Sequence, residues 1–305
     1  MSEHITHVGV FEDSARLALH GGLICQPFRA ALEKNWDLAR FASATRAGDR
    51  WSIPLLKYLR ERWAGRKEGD FAEEKLAFLL GWLTHQAADR RFKPVFRELQ
   101  PEHYAKRPPG EESQGPPDSS VMHDAIVFRE VYGSGEWAPY SPGLLDNSLA
   151  SYSATNALDP AFTSTVFGAV FQRSLLALHP AQHSPAALPK RYQRFYVDLQ
   201  RYERRFYWPA ADELNRYIAG PNFYNPQDKL LILARALQRK LPLPAFGFEE
   251  ARREALTGSQ YAQSLCLGVK YLRAASDFFE DKISEKQCHL LLDLNRTHLQ
   301  GGALL

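Results

Sequence analysis

The sequence has few cysteines, and their spacing fits neither a disulfide framework nor a thiolate metal site. Cys25, Cys266 and Cys288 are spread over 305 residues, and none of them belongs to a CxxC pair. Disulfide scaffolds are far richer in cysteine, and thiolate zinc sites use closely spaced pairs. The cysteine content therefore favours a reducing compartment, and we expect the protein to be cytoplasmic.

Long apolar runs and a strong excess of one charge are also missing. No stretch approaches the 18 or so apolar residues that cross a bilayer, and the N-terminus MSEHITHVGV lacks the pattern of a secretory signal. Lys and Arg number 38 against 35 Asp and Glu, a formal net charge of +3. That charge is compatible with a small anionic substrate and too small to indicate binding to duplex nucleic acid.

Alternation of apolar and polar residues, which marks a half-buried strand, is absent, and helical periodicity dominates. The strongest helix prediction covers residues 70–92, where apolar residues form a wide stripe. Other helical patterns cover residues 11–22, 27–49, 52–65, 120–133, 161–179, 190–220, 226–240, 248–256, 259–281 and 284–298. We predict an all-α fold, a multi-helix bundle. Residues 1–135 are expected to form a metal-binding core, with residues 136–305 packed on it in the same domain and a Pro-rich loop at 101–120.

His85 and Asp89 stand one helical turn apart within the apolar stretch LLGWLTHQAADRRF. Side chains at i and i+4 project from the same helix face. This spacing offers two ligands to one cation, as the paired histidines of HExxH do. The alternative is a hydrogen-bonded His–Asp pair that holds a core histidine in place.

Further histidines and carboxylates occur close to the starts or ends of other predicted helices. They are His7 before the first helix, Asp49 in the turn after the second, and His123 and Glu130 in the helix HDAIVFREV. Helical bundles build metal sites from imidazoles and carboxylates that project inward from facing helices. We therefore expect these side chains to point into the core and to bind a metal ion.

The order THVGVFEDSARL, an Asp-containing turn, LLGWLTHQAADRRFKP and HDAIVFREV resembles the zinc-dependent phospholipase C and P1 nuclease family, and most of all its signal-less bacterial members. The resemblance covers about the first 135 residues. It implies that His7, Asp49, His85 and Asp89 are metal ligands, with His123 and Glu130 as additions.

The same resemblance implies an activity. The family holds up to three zinc ions, and an aspartate at the position of Asp49 serves as a base or positions water. A metal-activated water would then attack the phosphorus of a phosphate ester such as a phospholipid head group or a nucleotide. This sequence lacks a histidine between His20 and His85 and lacks a closing HxxxE, since Glu130 follows His123 by seven residues. One or two zinc ions, or other divalent transition-metal ions, are therefore easier to support than three.

A basic aromatic segment, KRYQRFYVDLQRYERRFYW, follows in the second half of the chain. Its Arg191 and Arg194 are candidates for binding the phosphate of a substrate, because guanidinium groups pair well with phosphate oxygens. The alternative is an amphipathic helix whose aromatic side chains enter the core and whose arginines face solvent.

Two other functional classes are compatible with the sequence. An HD-type phosphohydrolase, also all-α, is marked by His followed directly by Asp, as at His123 and Asp124, with His85 as an upstream ligand. A non-catalytic helical protein with a structural or degenerate metal site is the other, because some ligands of the family pattern are missing. Absence of a bound transition metal from protein purified without a chelator would exclude both enzyme classes.

Overall fold

A computed structural model of the chain describes residues 4–44, 52–67, 70–92, 123, 126–133 and 222–293. Within these ranges the regular secondary structure is helical, without a strand, and the helices pack against one another. The prediction of an all-α multi-helix bundle is therefore confirmed. None of the described helices is both long and apolar enough to cross a membrane.

The described helices follow one another along the chain with short connections in several places. They are α1 (His4–His20), α2 (Gln26–Lys34), α3 (Trp36–Ala44), α4 (Ser52–Arg62), α5 (Ala72–Phe92), α6 (Lys229–Arg239), α7 (Phe248–Ala255), α8 (Gln260–Phe279) and α9 (Glu285–Leu291). A π-helical turn (Phe128–Tyr132) lies between α5 and α6 in the sequence.

Helix α5 lies at the centre of the described bundle. It contacts α1, α2, α3, α4 and α8, and every residue from 75 to 88 is buried. The sequence predicted an apolar stripe along one face, but several polar residues of α5, among them Thr84, His85 and Gln86, are buried as well. Buried polar groups need partners inside the protein, so the polar residues of this helix are the first place to look for a site.

Gly81 allows α3 to pack closely against α5. A Cβ atom at this position would overlap the carbonyl oxygen of Ala39 and would lie 2.8 Å from the Cβ of Ala42. Only the absence of a side chain permits this approach of the two backbones. Gly81 is therefore the position that lets α3 lie directly on α5.

Two helix boundaries differ from the sequence prediction. Helix α1 begins at His4, well before the predicted start at Phe11, and residues 5–10 are all buried. A helix segment buried on all sides has no polar face, so periodicity does not reveal it. The predicted helix 27–49 is interrupted at Asn35, which leaves the helical conformation with φ −128° and ψ 38°. No Pro or Gly at this position indicated the break.

Candidate metal centre

His7, His85 and Asp89 come together where α1 crosses α5. Each contributes one ligand atom, and the three atoms lie within 4.8 Å of one another. We call these three residues the histidine cluster. His85 and Asp89 meet because they are one turn apart on α5, and His7 is added by the packing of α1 on α5.

The carboxylate of Asp89 lies beside the two imidazoles and faces the Nε2 atom of each. Its Oδ2 is 3.4 Å from Nε2 of His85, and its Oδ1 is 3.6 Å from Nε2 of His7. The two rings stack, with centroids 4.1 Å apart and planes 13° from parallel. Both Nε2 atoms therefore face the same carboxylate, one toward each of its oxygens.

The backbone of α3 fixes the proton position on His85. Nδ1 of His85 lies 2.7 Å from the carbonyl oxygen of Ser43, inside the protein. A carbonyl oxygen only accepts, so Nδ1 must carry the proton and donate it. In the neutral ring, Nε2 then holds a lone pair that points at Asp89. A carbonyl partner on the far nitrogen is a common way to orient a metal-binding histidine.

A positive charge located between the Nε2 atoms and the carboxylate of Asp89 would stabilise this arrangement. A neutral His85 would direct its Nε2 lone pair at a carboxylate oxygen, which is unfavourable. Either a proton on the ring or a metal ion bound to these atoms removes the conflict. Two imidazoles and one carboxylate are a donor set that suits zinc and several other divalent transition metals. The residues present therefore fit a metal ion.

The electrostatics of Asp89 agree with this interpretation. Burial by itself would raise the pKa of the carboxyl group, but His85 and His7 outweigh it and hold the pKa well below its usual range. Asp89 is therefore ionised. The side chain is 19% exposed, whereas His7 is 1% and His85 5% exposed, so solvent reaches the cluster on the side of the carboxylate.

His123 lies in an aromatic environment within the described residues. Its ring stacks on Phe223, with centroids 4.0 Å apart, and contacts Phe92 at 5.4 Å. Burial holds the pKa of His123 well below that of a free imidazole, so the ring is neutral. The group of three ligand atoms does not include His123, and its role as a ligand stays a prediction.

The other predicted site residues lie either outside the histidine cluster or outside the described residues. Glu130 accepts a hydrogen bond of 2.6 Å from Nε of Arg129, and its backbone carbonyl accepts one of 3.4 Å from Arg239. Glu130 is likewise outside the group of three. Asp49, Arg191 and Arg194 lie outside the described residues, as do Asp124 and the loop 101–120.

A second polar cluster on α1 was not predicted from the sequence. We call it the arginine network, formed by Glu12, Asp13, Arg16, Arg40 and Arg235. Asp13 is fully buried; it pairs with Arg235 and accepts a 3.1 Å hydrogen bond from the hydroxyl of Tyr261. Burial raises the pKa of Asp13, against the opposing effect of Arg235 and Arg16.

Glu12 is the other carboxylate of the arginine network. It lies 2.9 Å from Nε of Arg40 and accepts hydrogen bonds of 3.3 Å from Nε1 of Trp36 and from the hydroxyl of Tyr132. The sequence did carry an indication of this network. Two adjacent carboxylates interrupt the apolar run VGVFEDSARLAL, and a buried charge of this kind needs a partner.

We compared the chain with models of known protein families, with curated proteins and with solved structures, and none of the three comparisons gave a match.

Proposed function

We propose that the protein is a metal-dependent hydrolase of phosphate esters, with His7, His85 and Asp89 as ligands of zinc or another divalent transition-metal ion. The observation that carries the proposal is the convergence of these three ligand atoms within 4.8 Å, with His85 oriented by the carbonyl of Ser43. An unperturbed buried His–Asp pair would explain the spacing within α5, but it would not explain a second imidazole on the same carboxylate.

The number and charge of the ligands favour a catalytic site over a purely structural one. Catalytic zinc sites use three protein ligands and leave a position for water or substrate, whereas structural sites are closed by four. A bound divalent ion would activate water and stabilise negative charge on phosphoryl oxygens. One carboxylate and two neutral imidazoles leave a positive charge on the occupied site, and this charge attracts an anionic ester.

The resemblance to the zinc-dependent phospholipase C and P1 nuclease family suggests further parts of the site. Asp49 is proposed as the base or water-positioning residue, with His123 and Glu130 as ligands of a second ion. Arg191 and Arg194 are proposed to bind the phosphate of a small phosphorylated substrate, because guanidinium groups pair well with phosphate oxygens. The cysteines Cys25, Cys266 and Cys288 are free and buried, in agreement with the proposed cytoplasmic location.

A structural metal site is the second candidate. It is favoured by the burial of the two imidazoles, 1% and 5% exposed, which leaves the carboxylate as the more accessible ligand. In that case the metal would stabilise the contact between α1 and α5 without turning over a substrate.

Activity and metal content of matched variants test the proposal. Wild type, His85→Ala and the surface variant Lys57→Met are freed of metal, reloaded with Zn²⁺, Mn²⁺ or Co²⁺, and assayed with bis(p-nitrophenyl) phosphate and p-nitrophenyl phosphorylcholine. Metal-dependent turnover that His85→Ala abolishes and Lys57→Met retains is the expected result. Metal binding without turnover of any ester would overturn the proposed catalysis in favour of a structural site.

The variants His7→Ala and Asp124→Ala separate the leading proposal from the HD-type alternative. Loss of metal with His7→Ala, and retention with Asp124→Ala, is expected for the histidine cluster. The opposite pattern would support an HD-type phosphohydrolase, because its metal depends on the aspartate that directly follows a histidine.

A further inference from the structure

We propose that Glu12 and Arg40 are positioning residues of the metal centre. Their ion pair holds α3 against α1, so that the carbonyl of Ser43 at the end of α3 keeps the ring of His85 in its metal-binding orientation. The inference rests on the proposed metal site for its functional consequence, and on the described contacts for its geometry.

The first link joins α1 to α3. Glu12 of α1 is 4% exposed, and Nε of Arg40 lies 2.9 Å from its Oε1. Trp36, at the start of α3, donates an indole N–H to the same oxygen at 3.3 Å. Two side chains of α3, one turn apart, therefore bind one carboxylate of α1. The Arg40–Glu12 contact is a buried ion pair, and the hydrogen bond from Trp36 gives this junction its direction.

The second link joins α3 to α5. The hydroxyl of Ser43 donates a 2.6 Å hydrogen bond to the carbonyl of Arg40, and the carbonyl of Ser43 accepts the 2.7 Å bond from Nδ1 of His85. Gly81, one turn before His85, lets the backbone of α3 lie directly on α5. The chain of contacts therefore runs from Glu12 through Arg40 and Ser43 to His85.

The two ends of this chain of contacts lie on the helices that carry the ligands. His7 and Glu12 belong to α1, and His85 and Asp89 belong to α5. A displacement of α3 would change the orientation of His85 and the protonation of its Nδ1 without removing any ligand. Loss of an outer partner of a metal-binding histidine typically lowers metal affinity by about 10–100-fold.

Three variants test the inference. Glu12→Gln keeps the shape of the side chain and removes the charge that Arg40 needs. Arg40→Lys keeps the charge and shortens the reach. Tyr261→Phe is the control, since it removes another buried hydrogen bond to α1, from the Tyr261 hydroxyl to Asp13, without touching α3. All three are compared with wild type by ¹⁵N NMR of the histidine rings without metal and by titration with Zn²⁺.

The expected results differ between the variants. Wild type shows His85 with a proton fixed on Nδ1, assigned by its absence in His85→Gln. Glu12→Gln loses this single state and binds Zn²⁺ about 10–100-fold more weakly. Arg40→Lys has a Zn²⁺ affinity between those of Glu12→Gln and wild type. Tyr261→Phe keeps both the Nδ1 proton and the Zn²⁺ affinity of wild type, although it is less stable to urea.

Two outcomes are decisive against the inference or its premise. If Glu12→Gln loses stability as Tyr261→Phe does and keeps the Nδ1 proton and the affinity, the positioning role is wrong. If wild type binds no Zn²⁺, the proposed metal site fails, and the NMR comparison in the metal-free protein still decides whether Glu12 positions His85. If Glu12→Gln does not fold, Trp36→Phe takes its place, since it removes one hydrogen bond to Glu12. It is expected to weaken the Nδ1 proton signal and the Zn²⁺ affinity, each by less than is expected for Glu12→Gln.

Discussion

Helix α1 carries parts of two buried polar clusters, and the source of their positive charge distinguishes them. In the arginine network, Glu12 and Asp13 are paired with guanidinium groups from α1, α3 and α6. Arginine is protonated at all physiological pH values, so this compensation is permanent. In the histidine cluster, Asp89 faces two imidazoles, which carry charge only when protonated.

The difference separates a structural role from a functional one. A buried carboxylate next to a permanent cation has its charge compensated within the protein, and loss of the cation is strongly destabilising. A carboxylate that faces two imidazoles is compensated by protons or by a metal ion, and these can exchange with solvent. We infer that the arginine network determines how α1 sits in the bundle and that the histidine cluster binds the ion.

Removal of the cation from the arginine network should have the largest effect on stability. Arg235→Met leaves the fully buried Asp13 with only the more distant guanidinium of Arg16, 3.8 Å away, and the free energy of unfolding should fall by about 3–5 kcal/mol. Urea unfolding followed by circular dichroism measures the change. The double variant Asp13→Asn, Arg235→Met should recover part of the loss. Stability equal to that of wild type in the single variant would contradict the structural role of the pair.

Forcing α3 away from α5 should have the next largest effect on stability. It should also weaken metal binding at the histidine cluster. Gly81→Ala places a Cβ against Ala39 and Ala42, and we expect the free energy of unfolding to fall by about 1–3 kcal/mol. We also expect weaker metal binding, because the carbonyl of Ser43 would move away from His85. Unfolding and Zn²⁺ titration check both effects. Gly65→Ala is the matched control, since its Cβ would meet no atom within 4 Å. Equal metal affinity in the two variants would show that the α3–α5 contact does not serve the site.

Acidification should distinguish the two clusters without mutation. Asp89 is already ionised because the imidazoles lower its pKa, so the protons that compete with a metal are those of His7 and His85. Because an imidazole must lose its proton to bind a metal ion, Zn²⁺ affinity should fall on acidification by up to about tenfold per pH unit for each proton displaced. Titrations at several pH values measure the slope. A flat profile would exclude the imidazoles as ligands.

An exposed ion pair should show the smallest effect. Lys57 of α4 lies 3.2 Å from Glu285 of α9, and both side chains are about half exposed. Lys57→Met should change the free energy of unfolding by less than about 1 kcal/mol and leave metal affinity unchanged. A loss as large as that of Arg235→Met would mean that burial is not what distinguishes the arginine network.

The helical bundle and the pairing of His85 with Asp89 could be predicted from the sequence, because both depend on local spacing. Helical periodicity predicted an all-α bundle, and the predicted helix 70–92 agrees with α5 at Ala72–Phe92. The i and i+4 spacing of His85 and Asp89 placed them on one face. His7 was included through its position in a family pattern, and the structure brings it to the same carboxylate.

Other parts could not be predicted, because they depend on tertiary contacts. The partner of His85 is the backbone carbonyl of Ser43, and a carbonyl group has no signature in the sequence. The pairing of Asp13 with Arg235 joins residues more than 200 positions apart, which spacing along a helix cannot indicate. The interruption at Asn35 lies between α2 and α3, which both pack against α5, and no Pro or Gly marks it in the sequence.

The most direct test of the central claim is a calorimetric titration of metal-free protein with Zn²⁺, for wild type and for Asp89→Asn. Asparagine keeps the size of the side chain and removes the negative charge that faces the two imidazoles. We predict saturable binding to wild type, with an affinity that Asp89→Asn lowers by more than the roughly 100-fold expected for an outer partner. Equal binding by both proteins, or no binding by wild type, would contradict the assignment of the histidine cluster as a metal site.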